Sequence, residues 1–279
     1  MQKTTTIGFI GAGNMAYALI SGLISNGFSA ANIKLSDTDK TLLSQRKTEF
    51  GVEVFTDNSQ MVMQCDVVVL AVKPQILPGV CTQLKVHTQR KPLVVSIAAG
   101  VKIDNINHWL KDGVSIVRTM PNTPALVGQG ATGMVANDAV SSEQKVLAES
   151  ILGSVGVCFW LQEETMLDAI TALSGSGPAY FFLMIESMTN AGIALGLEKE
   201  MAETLSIQTA LGASTMAKGG DDTVRELRAK VTSKNGTTQA AIESFQDQNF
   251  EAVVSQAMRA AFERAREMGF ELGDDERQD

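Results

Sequence analysis

The sequence predicts an α/β protein in which a doubly wound sheet is followed by an all-helical domain. Residues 1–162 alternate short β-rich segments with helical ones, which is the pattern of a doubly wound sheet. Several β-rich segments, such as Val67–Leu70 and Leu93–Val95, are unbroken aliphatic runs typical of parallel strands buried on both faces. After Trp160 we find no convincing strand, only helical stretches rich in Ala, Leu, Met and Gly. We therefore predict two domains, residues 1–162 and 163–279.

Eight segments of the first domain are predicted as strands because they are short, rich in β-branched residues and bounded by turn residues. They are residues 4–10, 32–36, 52–55, 66–71, 92–97, 114–118, 131–136 and 155–160. Helices are predicted at 14–25, 41–50 and 142–152 in the first domain, and at 165–172, 178–195, 199–218, 223–230, 237–246 and 250–268 in the second.

Composition limits the possible functions. Charged residues make up 19% of the 279 residues, below the ~25% of an average soluble protein, which favours a surface partly buried in an oligomer. The formal net charge of −8 argues against a nucleic-acid partner. The charge is uneven, because residues 1–162 carry 13 basic and 11 acidic side chains whereas the remainder carries 10 and 20. A phosphate-bearing ligand is therefore better suited to the first domain.

Cysteine and histidine are too sparse to indicate a disulfide framework or a metal centre. Cys65, Cys81 and Cys158 are widely spaced and lie in apolar segments. His87 and His108 have no metal-binding partner at a short spacing. We therefore expect no metal, and a reduced compartment such as the cytoplasm.

No segment predicts a signal peptide or a membrane span. The start, MQKTTTIGFIGAG, has only a short apolar run and lacks a cleavage-site pattern. The most apolar stretch, residues 178–197, contains Glu186 and Asn190. Because a carboxylate in the middle of a bilayer is costly, we expect a buried or interface helix there and no membrane partner.

The first predicted strand leads directly into a glycine-rich turn and then a helix. Residues 11–16 read Gly-Ala-Gly-Asn-Met-Ala, a G-x-G-x-x-A motif in the strand–turn–helix context of a Rossmann dinucleotide-binding domain. Gly11 permits the tight turn, Gly13 lets the backbone approach a pyrophosphate, and Ala16 lets the helix pack on the strand. The helix N-terminus presents free N–H groups to the phosphates. The alternative is a glycine-rich turn without a ligand.

The end of the second strand bears on the choice between NAD and NADP. NAD enzymes usually place an acidic residue there to bind the ribose diol. We take Ser36 as the last strand residue, with a hydroxyl that can donate to a 2′-phosphate and Lys40 near enough to help. Asp37 favours NAD instead if the strand ends one residue later. We expect NADPH, with NADH as the alternative.

Three more polar or glycine-rich turns follow predicted strands, at residues 72–74, 98–100 and 120–124. In a parallel sheet all of them share the carboxyl edge with the glycine turn, and open α/β sheets bind ligands at that edge. Each turn taken alone is better explained as a solvated connection, and the stronger indication of a ligand site is that all of them share one edge.

Two segments of the helical domain differ from ordinary linkers. Residues 174–178 precede a long helix, with Ser176 as a candidate N-cap and Pro178 in the first turn. Residues 232–238 precede another helix and offer four hydroxyls at its start, which suits a small carboxylate. Simple capping is the alternative explanation, although capping needs only one hydroxyl.

These two segments contain no histidine, no paired carboxylates and no nucleophile–base pair. A dehydrogenase that acts on an alcohol requires a general base near the hydroxyl. A reductase that acts on a pre-formed imine requires only an anchor for the substrate carboxylate and alignment of the C=N bond over the nicotinamide. Such alignment alone can contribute ~7–11 kcal/mol.

Taken together, these motifs resemble those of pyrroline-5-carboxylate reductase, the last enzyme of proline biosynthesis. The motifs that carry the resemblance span residues 8 to 238, in family order. They are Gly-Phe-Ile-Gly-Ala-Gly-Asn-Met-Ala at 8–16, Ala-Val-Lys-Pro at 71–74, Met-Pro-Asn-Thr-Pro at 120–124, Ser-Gly-Ser-Gly-Pro-Ala-Tyr at 174–180, and Val-Thr-Ser at 231–233 with Gly-Thr-Thr at 236–238. The family often has Pro-Gly where this chain has Lys234-Asn235. Because Asn tolerates a left-handed backbone, we expect the turn to survive.

The resemblance implies an N-terminal Rossmann domain, a C-terminal helical dimerisation domain, dimers that assemble into decamers, and a substrate bound between the cofactor edge of one subunit and helices of the dimer. It implies NADPH binding by Gly11, Ala12, Gly13, Asn14, Met15, Ser36, Asn58, Ala71, Val72, Lys73, Pro74, Ala98 and Ala99. It implies pyrroline-5-carboxylate binding by Ser233, Gly236, Thr237 and Thr238, with Asn122, Ser176 and, more weakly, Glu164 nearby. Thr238 is the expected hydroxyl partner of the imine nitrogen.

Two other functions remain open from the sequence. A β-hydroxyacid dehydrogenase shares the domain plan, but that family places a catalytic lysine on the first long helix after its glycine segment, and residues 178–197 contain no lysine. A non-catalytic NAD(P)H-binding sensor would keep the glycine turn but would not require residues 232–238.

Overall fold

The computed structural model describes residues 5–85, 91–111 and 113–274, with side chains up to Glu271. The chain forms two compact units, Met1–Ser176 with Ala261–Asp279, and Gly177–Ala260. Thr4, where the first strand is predicted to begin, and His87 lie outside the described residues. The domain boundary after residue 162 stays a prediction.

The first unit is built on one eight-stranded sheet. The strands are β1 (Ile7–Ile10), β2 (Ile33–Ser36), β3 (Glu53–Phe55), β4 (Val67–Leu70), β5 (Leu93–Ser96), β6 (Ile116–Met120), β7 (Gly130–Ala136) and β8 (Gly156–Trp160). Their order is β3-β2-β1-β4-β5-β6-β7-β8. Neighbouring strands are parallel except β6 and β7, which are antiparallel. All eight predicted strands are present, and the doubly wound fold is confirmed.

The described helices include all those predicted and add three short ones in the first unit. They are α1 (Asn14–Ser25), α2 (Lys40–Phe50), α3 (Asn58–Val62), α4 (Leu77–Leu84), α5 (Ile103–Leu110), α6 (Ser142–Leu152), α7 (Met166–Ile170), α8 (Gly177–Ala194), α9 (Lys199–Gly219), α10 (Val224–Lys230), α11 (Thr237–Asp247) and α12 (Phe250–Asp274). Polar N-caps fix several starts. The Asp39 carboxylate, for example, accepts the N–H groups of Thr41 and Leu42 at the start of α2.

Helices cover both faces of the sheet, and the alternation of side chains along each strand decides which core they enter. In β4, Val67 and Val69 pack in the core beneath α1 and α6, whereas Val68 and Leu70 pack in the core beneath α4 and α5. All four side chains are buried. This arrangement explains why the strand is an unbroken aliphatic run.

The segment before α8 differs from the prediction. Residues 171–175 form a π-helical turn that continues from α7, and the Ser176 N–H donates to the Thr171 carbonyl at 2.8 Å. The Ser176 backbone is helical, with φ −84° and ψ −20°, whereas an N-cap normally has an extended backbone. Ser176 is therefore a link between two helical segments, and the expected N-cap geometry is wrong. Pro178 does lie in the first turn of α8, as predicted.

The second unit, with α8 to α11 and residues 250–260 of α12, exposes many large apolar side chains. On α8, Phe182 is 67% and Leu183 is 63% exposed, and on α9 Leu211 is 59% exposed. Exposed apolar surface on this scale marks an interaction surface. Among the described helices, none is both long and apolar enough to cross a membrane.

Candidate active site

A groove of about 300 Å³ opens at the carboxyl edge of the sheet, where β1, β2 and β4 end. Backbone hydrogen bonds hold these ends together. The Gly11 N–H donates to the Ser36 carbonyl at 2.8 Å, and the Ala71 N–H donates to the Ile10 carbonyl at 2.8 Å. The lining residues are Ile10, Gly11, Gly13, Ser36, Asp37, Thr38, Leu42, Asn58, Ala71, Val72, Lys73, Ile76 and Val80. The structure thus brings together seven of the predicted cofactor residues from four separate parts of the chain.

The two glycines of the turn are required for different reasons. Gly11 has φ +102°, and a Cβ there would lie 2.5 Å from the Ala71 carbonyl oxygen. The fold itself therefore excludes a side chain at Gly11. A Cβ on Gly13 would meet no atom within 4 Å. Packing does not explain the glycine at 13, but the approach of a ligand does.

The N-terminus of α1 suits a phosphate group. Gly13 is its N-cap, and no side chain among the described residues caps the helix. The first N–H groups of a helix need partners from outside it, and together with the helix dipole they favour an anion. An uncapped twelve-residue helix beside an open glycine position fits the pyrophosphate of a dinucleotide.

Polar groups from the ends of β2 and β3 line one wall of the groove. The buried Ser36 hydroxyl donates to the Asn58 side-chain carbonyl at 2.7 Å, and Asn58 begins α3. The Asp37 carboxylate accepts the Ala12 N–H at 2.7 Å through Oδ2 and the Asp39 N–H at 2.9 Å through Oδ1. Strand β2 ends at Ser36, as predicted, yet Asp37 also faces the groove. Sequence reasoning left this residue open because one position of register decides it.

The remaining predicted cofactor residues lie around the groove and do not line it. Ala12, Asn14 and Met15 lie in the glycine turn and the first turn of α1. Pro74 begins a short 3₁₀ turn after Lys73. Ala98 and Ala99 follow β5 at the same edge of the sheet. Lys40, the proposed helper of Ser36, is the first residue of α2, outside the residues that line the groove.

Asn122 connects two segments of the first unit. Its amide donates to the Ser174 carbonyl at 2.9 Å, and its side-chain oxygen accepts the Ala131 N–H at 2.9 Å. The residue is 8% exposed. These contacts join the loop after β6 to β7 and to the π-helical turn, so Asn122 positions the backbone at residues 174–176.

Glu164 is held by protein groups on the same unit. Its Oε1 accepts a hydrogen bond from the Arg118 guanidinium at 2.7 Å and another from the Ile103 N–H, at the start of α5, at 2.8 Å. Arg118 lies on β6 and is buried. These contacts make Glu164 a structural cap and ion-pair partner. Its predicted role beside the substrate stays a prediction.

Asp168 lies near this ion pair, in a cavity of about 310 Å³ that Arg118, Glu164 and Arg266 also line. Burial raises the pKa of the Asp168 carboxyl, although the positive charges of Arg118, Lys102 and Arg266 act in the opposite direction. This cluster could not be predicted from the sequence, because Arg118, Glu164 and Arg266 are distant from one another along the chain.

The hydroxyl-rich turn, residues 232–238, lies in the second unit between α10 and α11. Asn235 has φ +60°, so the predicted left-handed residue is confirmed. Gly236 is the N-cap of α11, and no side chain caps that helix. A Cβ on Gly236 would collide with the Ser233 hydroxyl.

The hydroxyls of this turn are not used for capping. Thr232 donates to the Arg228 carbonyl at 2.6 Å. Among the described residues, no partner is found for the hydroxyls of Ser233, Thr237 and Thr238. Ser233 and Thr237 are exposed and Thr238 is half-buried. An uncapped helix start with three hydroxyls that have no partner within the described ranges suits a small carboxylate, and the predicted role of these residues stays a prediction.

A larger concavity of about 720 Å³ lies at the other end of α1, beside Cys158. Burial, assisted by the negative charge of Glu149, raises the pKa of the Cys158 thiol to about 11. The thiol is therefore protonated at neutral pH and is a poor nucleophile.

Comparison with known proteins identifies the family. A pyrroline-5-carboxylate reductase from Pseudomonas aeruginosa is 48% identical over 98% of this chain and 100% of its own length. This chain belongs to the pyrroline-5-carboxylate reductase family. The family model for pyrroline-5-carboxylate reductase dimerisation matches residues 164–268, and the model for NADP oxidoreductase, coenzyme F420-dependent, matches residues 6–100.

Two solved structures support the same assignment. A pyrroline-5-carboxylate reductase from Coxiella burnetii has a TM-score of 0.91 and 45% identity, and covers 95% of this chain and 98% of its own. The Plasmodium falciparum pyrroline carboxylate reductase with NADP bound has a TM-score of 0.85 and 31% identity, and covers 96% of this chain and 100% of its own. The predicted family, oxidoreductase class and NADP-type cofactor are confirmed.

Proposed function

We propose that this chain reduces Δ1-pyrroline-5-carboxylate to L-proline with NADPH as the hydride donor. The observation that carries the substrate assignment is the uncapped start of α11, where the hydroxyls of Ser233, Thr237 and Thr238 have no partner in the described part of the chain. Family membership supplies the reaction, and the groove at the sheet edge supplies a dinucleotide site.

NADPH would bind in the groove. Its pyrophosphate would approach Gly13 and the free N–H groups of α1, where a side chain is absent and the helix dipole is positive. Ser36 and Asn58 would face the adenosine ribose, while Ala71, Val72 and Lys73 would form the opposite wall. The bound cofactor supplies a hydride from its nicotinamide.

The substrate carboxylate would bind at the N-terminus of α11, through backbone N–H groups and the hydroxyls of Ser233 and Thr237. Thr238 would hydrogen-bond to the ring nitrogen. In the reduction, the protonated C=N bond accepts a hydride at its carbon, and its π electrons become the lone pair of the amine. Because the imine is already formed and protonated, no general base is required, which agrees with the absence of histidine and paired carboxylates in the turn.

We further propose that the chain forms a homodimer and that dimers assemble into a decamer. We place the protein in the cytoplasm and its domain boundary after residue 162. The exposed apolar side chains of α8 and α9 support burial between subunits. The match of residues 164–268 to a dimerisation model supports a dimer formed through this part of the chain.

The test is NADPH oxidation by the purified protein with pyrroline-5-carboxylate. We expect turnover that stops when the imine is omitted, with proline as the product. Protein that binds NADPH but consumes none with this substrate would contradict the proposal. Such a result would favour another imine substrate or the function of a non-catalytic NAD(P)H-binding sensor.

A further inference from the structure

The carboxylate of Asp37 occupies the position in the groove that most often discriminates between NADH and NADPH. In doubly wound dinucleotide domains, an acidic residue at the end of the second strand binds the ribose 2′-OH, whereas an arginine nearby accommodates a 2′-phosphate. Asp37 immediately follows β2 and faces the groove.

Asp37 is held in place by the backbone. One carboxylate oxygen accepts the Ala12 N–H at 2.7 Å, and the other accepts the Asp39 N–H at 2.9 Å. Each carboxylate oxygen has two lone pairs, so both retain the capacity to accept a further donor. A ribose hydroxyl can donate to this carboxylate, but a phosphate dianion cannot.

The other side chains on this wall offer little compensating charge. Ser36, Thr38 and Asn58 are neutral, Lys73 is the one cation among the described residues that line the groove, and no arginine is among them. A 2′-phosphate would therefore bind through neutral donors while it lies close to a fixed negative charge.

We infer that Asp37 is a specificity-determining residue that keeps NADH an effective hydride donor beside NADPH. It would do so by accepting the 2′-OH of NADH and by repelling the 2′-phosphate of NADPH. This inference rests on the proposed function for turnover, but its effect on cofactor binding does not require the imine substrate.

The test compares Asp37→Asn and Asp37→Ser with Asp39→Asn. The control removes an equal charge two residues away, from a carboxylate that caps α2 and does not line the groove. Dissociation constants for NADPH and NADH would be measured by fluorescence titration, and kcat/KM for each cofactor with pyrroline-5-carboxylate.

We expect both Asp37 variants to shift the ratio of NADH to NADPH dissociation constants at least tenfold towards NADPH. Asp39→Asn should leave the ratio within about twofold of the unmodified protein. An unchanged ratio in both Asp37 variants, or an equal shift in Asp39→Asn, would overturn the inference. If an Asp37 variant does not fold, as judged by its thermal transition, the other decides. Absence of turnover with either cofactor would contradict the proposed function and leave the titration as the test of Asp37.

Discussion

The cofactor groove and the hydroxyl-rich turn are assembled in different ways. The groove draws Gly11, Ser36, Asn58 and Ala71 from distant parts of the sequence, and the parallel sheet brings them to one edge. The hydroxyl-rich turn consists of consecutive residues 232–238, and among the residues that the structure describes its hydrogen bonds reach only neighbouring parts of the same unit. Topology therefore creates the first site, whereas local sequence creates the second.

This difference determines how each site responds to mutation. A Cβ at Gly11 would collide with the backbone of Ala71, sixty residues away, which belongs to the framework of the sheet. A Cβ at Gly236 would collide with the Ser233 hydroxyl, which can rotate, and would lie 3.1 Å from the Ser233 carbonyl oxygen in the same turn. Changes in the groove should therefore affect folding and cofactor binding together, and changes in the turn should affect catalysis with little effect on folding.

The largest effect is expected for Gly11→Ala. The left-handed φ of +102° and the contact with the Ala71 carbonyl should together cost about 3 kcal/mol or more of unfolding free energy. Urea unfolding followed by circular dichroism measures this loss. A Gly11→Ala protein with unchanged stability would show that the turn can rearrange freely, and the contrast between the two sites would fail.

Gly13→Ala tests the effect on cofactor binding separately from the effect on folding stability. Its Cβ meets no atom of the protein within 4 Å, so the unfolding free energy should change by less than about 0.5 kcal/mol. The methyl group would lie where the pyrophosphate approaches, so NADPH affinity should fall about 10–100-fold. Fluorescence titration with NADPH provides the measurement. Unchanged affinity would place the pyrophosphate elsewhere.

Thr238→Ala tests the hydroxyl-rich turn. Loss of one charge-assisted hydrogen bond, about 1.5–3 kcal/mol, should lower kcat/KM for the imine about 10–100-fold. Thr238→Ser keeps the hydroxyl and should recover most of the activity. Full activity in the alanine variant would remove Thr238 from the proposed mechanism.

Glu164→Gln distinguishes a structural role from contact with substrate. The Arg118–Glu164 pair is largely buried, with side chains 8% and 27% exposed, so its loss should cost about 1–3 kcal/mol of unfolding free energy. The KM for the imine should not change if Glu164 serves only the fold. A raised KM at unchanged stability would support the role beside the substrate.

The smallest effect is expected for Asn235. Because this residue has φ +60°, Asn235→Ala should destabilise the turn by about 1 kcal/mol, whereas Asn235→Gly should be neutral or slightly stabilising. Thermal unfolding of the two variants compares them directly. Equal stability of both would mean that the turn does not keep this conformation.

The sequence was sufficient to predict structural elements wherever the residue pattern is local or periodic. All eight strands could be predicted from short β-rich segments bounded by turn residues. The left-handed Asn235 could be predicted from its residue type and from the family pattern at that position. Helix α4 was not predicted because Pro78 and Gly79 occur in its first turn and obscure the helical period. The π-helical turn at 171–175 was missed because it follows α7 without a break in the pattern.

Contacts between distant residues could not be predicted. The hydrogen bond from Ala12 to Asp37 depends on the register of β1 against β2, and one residue of slip would replace Asp37 with Ser36. The Glu164 carboxylate contacts Arg118 and the start of α5, which are more than forty residues away in sequence. A single sequence contains no periodic signal for such a pair.

The most direct test of the separation between the two sites is the NADPH dissociation constant of Thr238→Ala, measured beside that of Gly13→Ala. We expect Thr238→Ala to bind NADPH within about twofold of the unmodified protein while its turnover of pyrroline-5-carboxylate falls. If Thr238→Ala instead loses NADPH affinity as Gly13→Ala should, the turn takes part in cofactor binding and the two sites do not have separate functions.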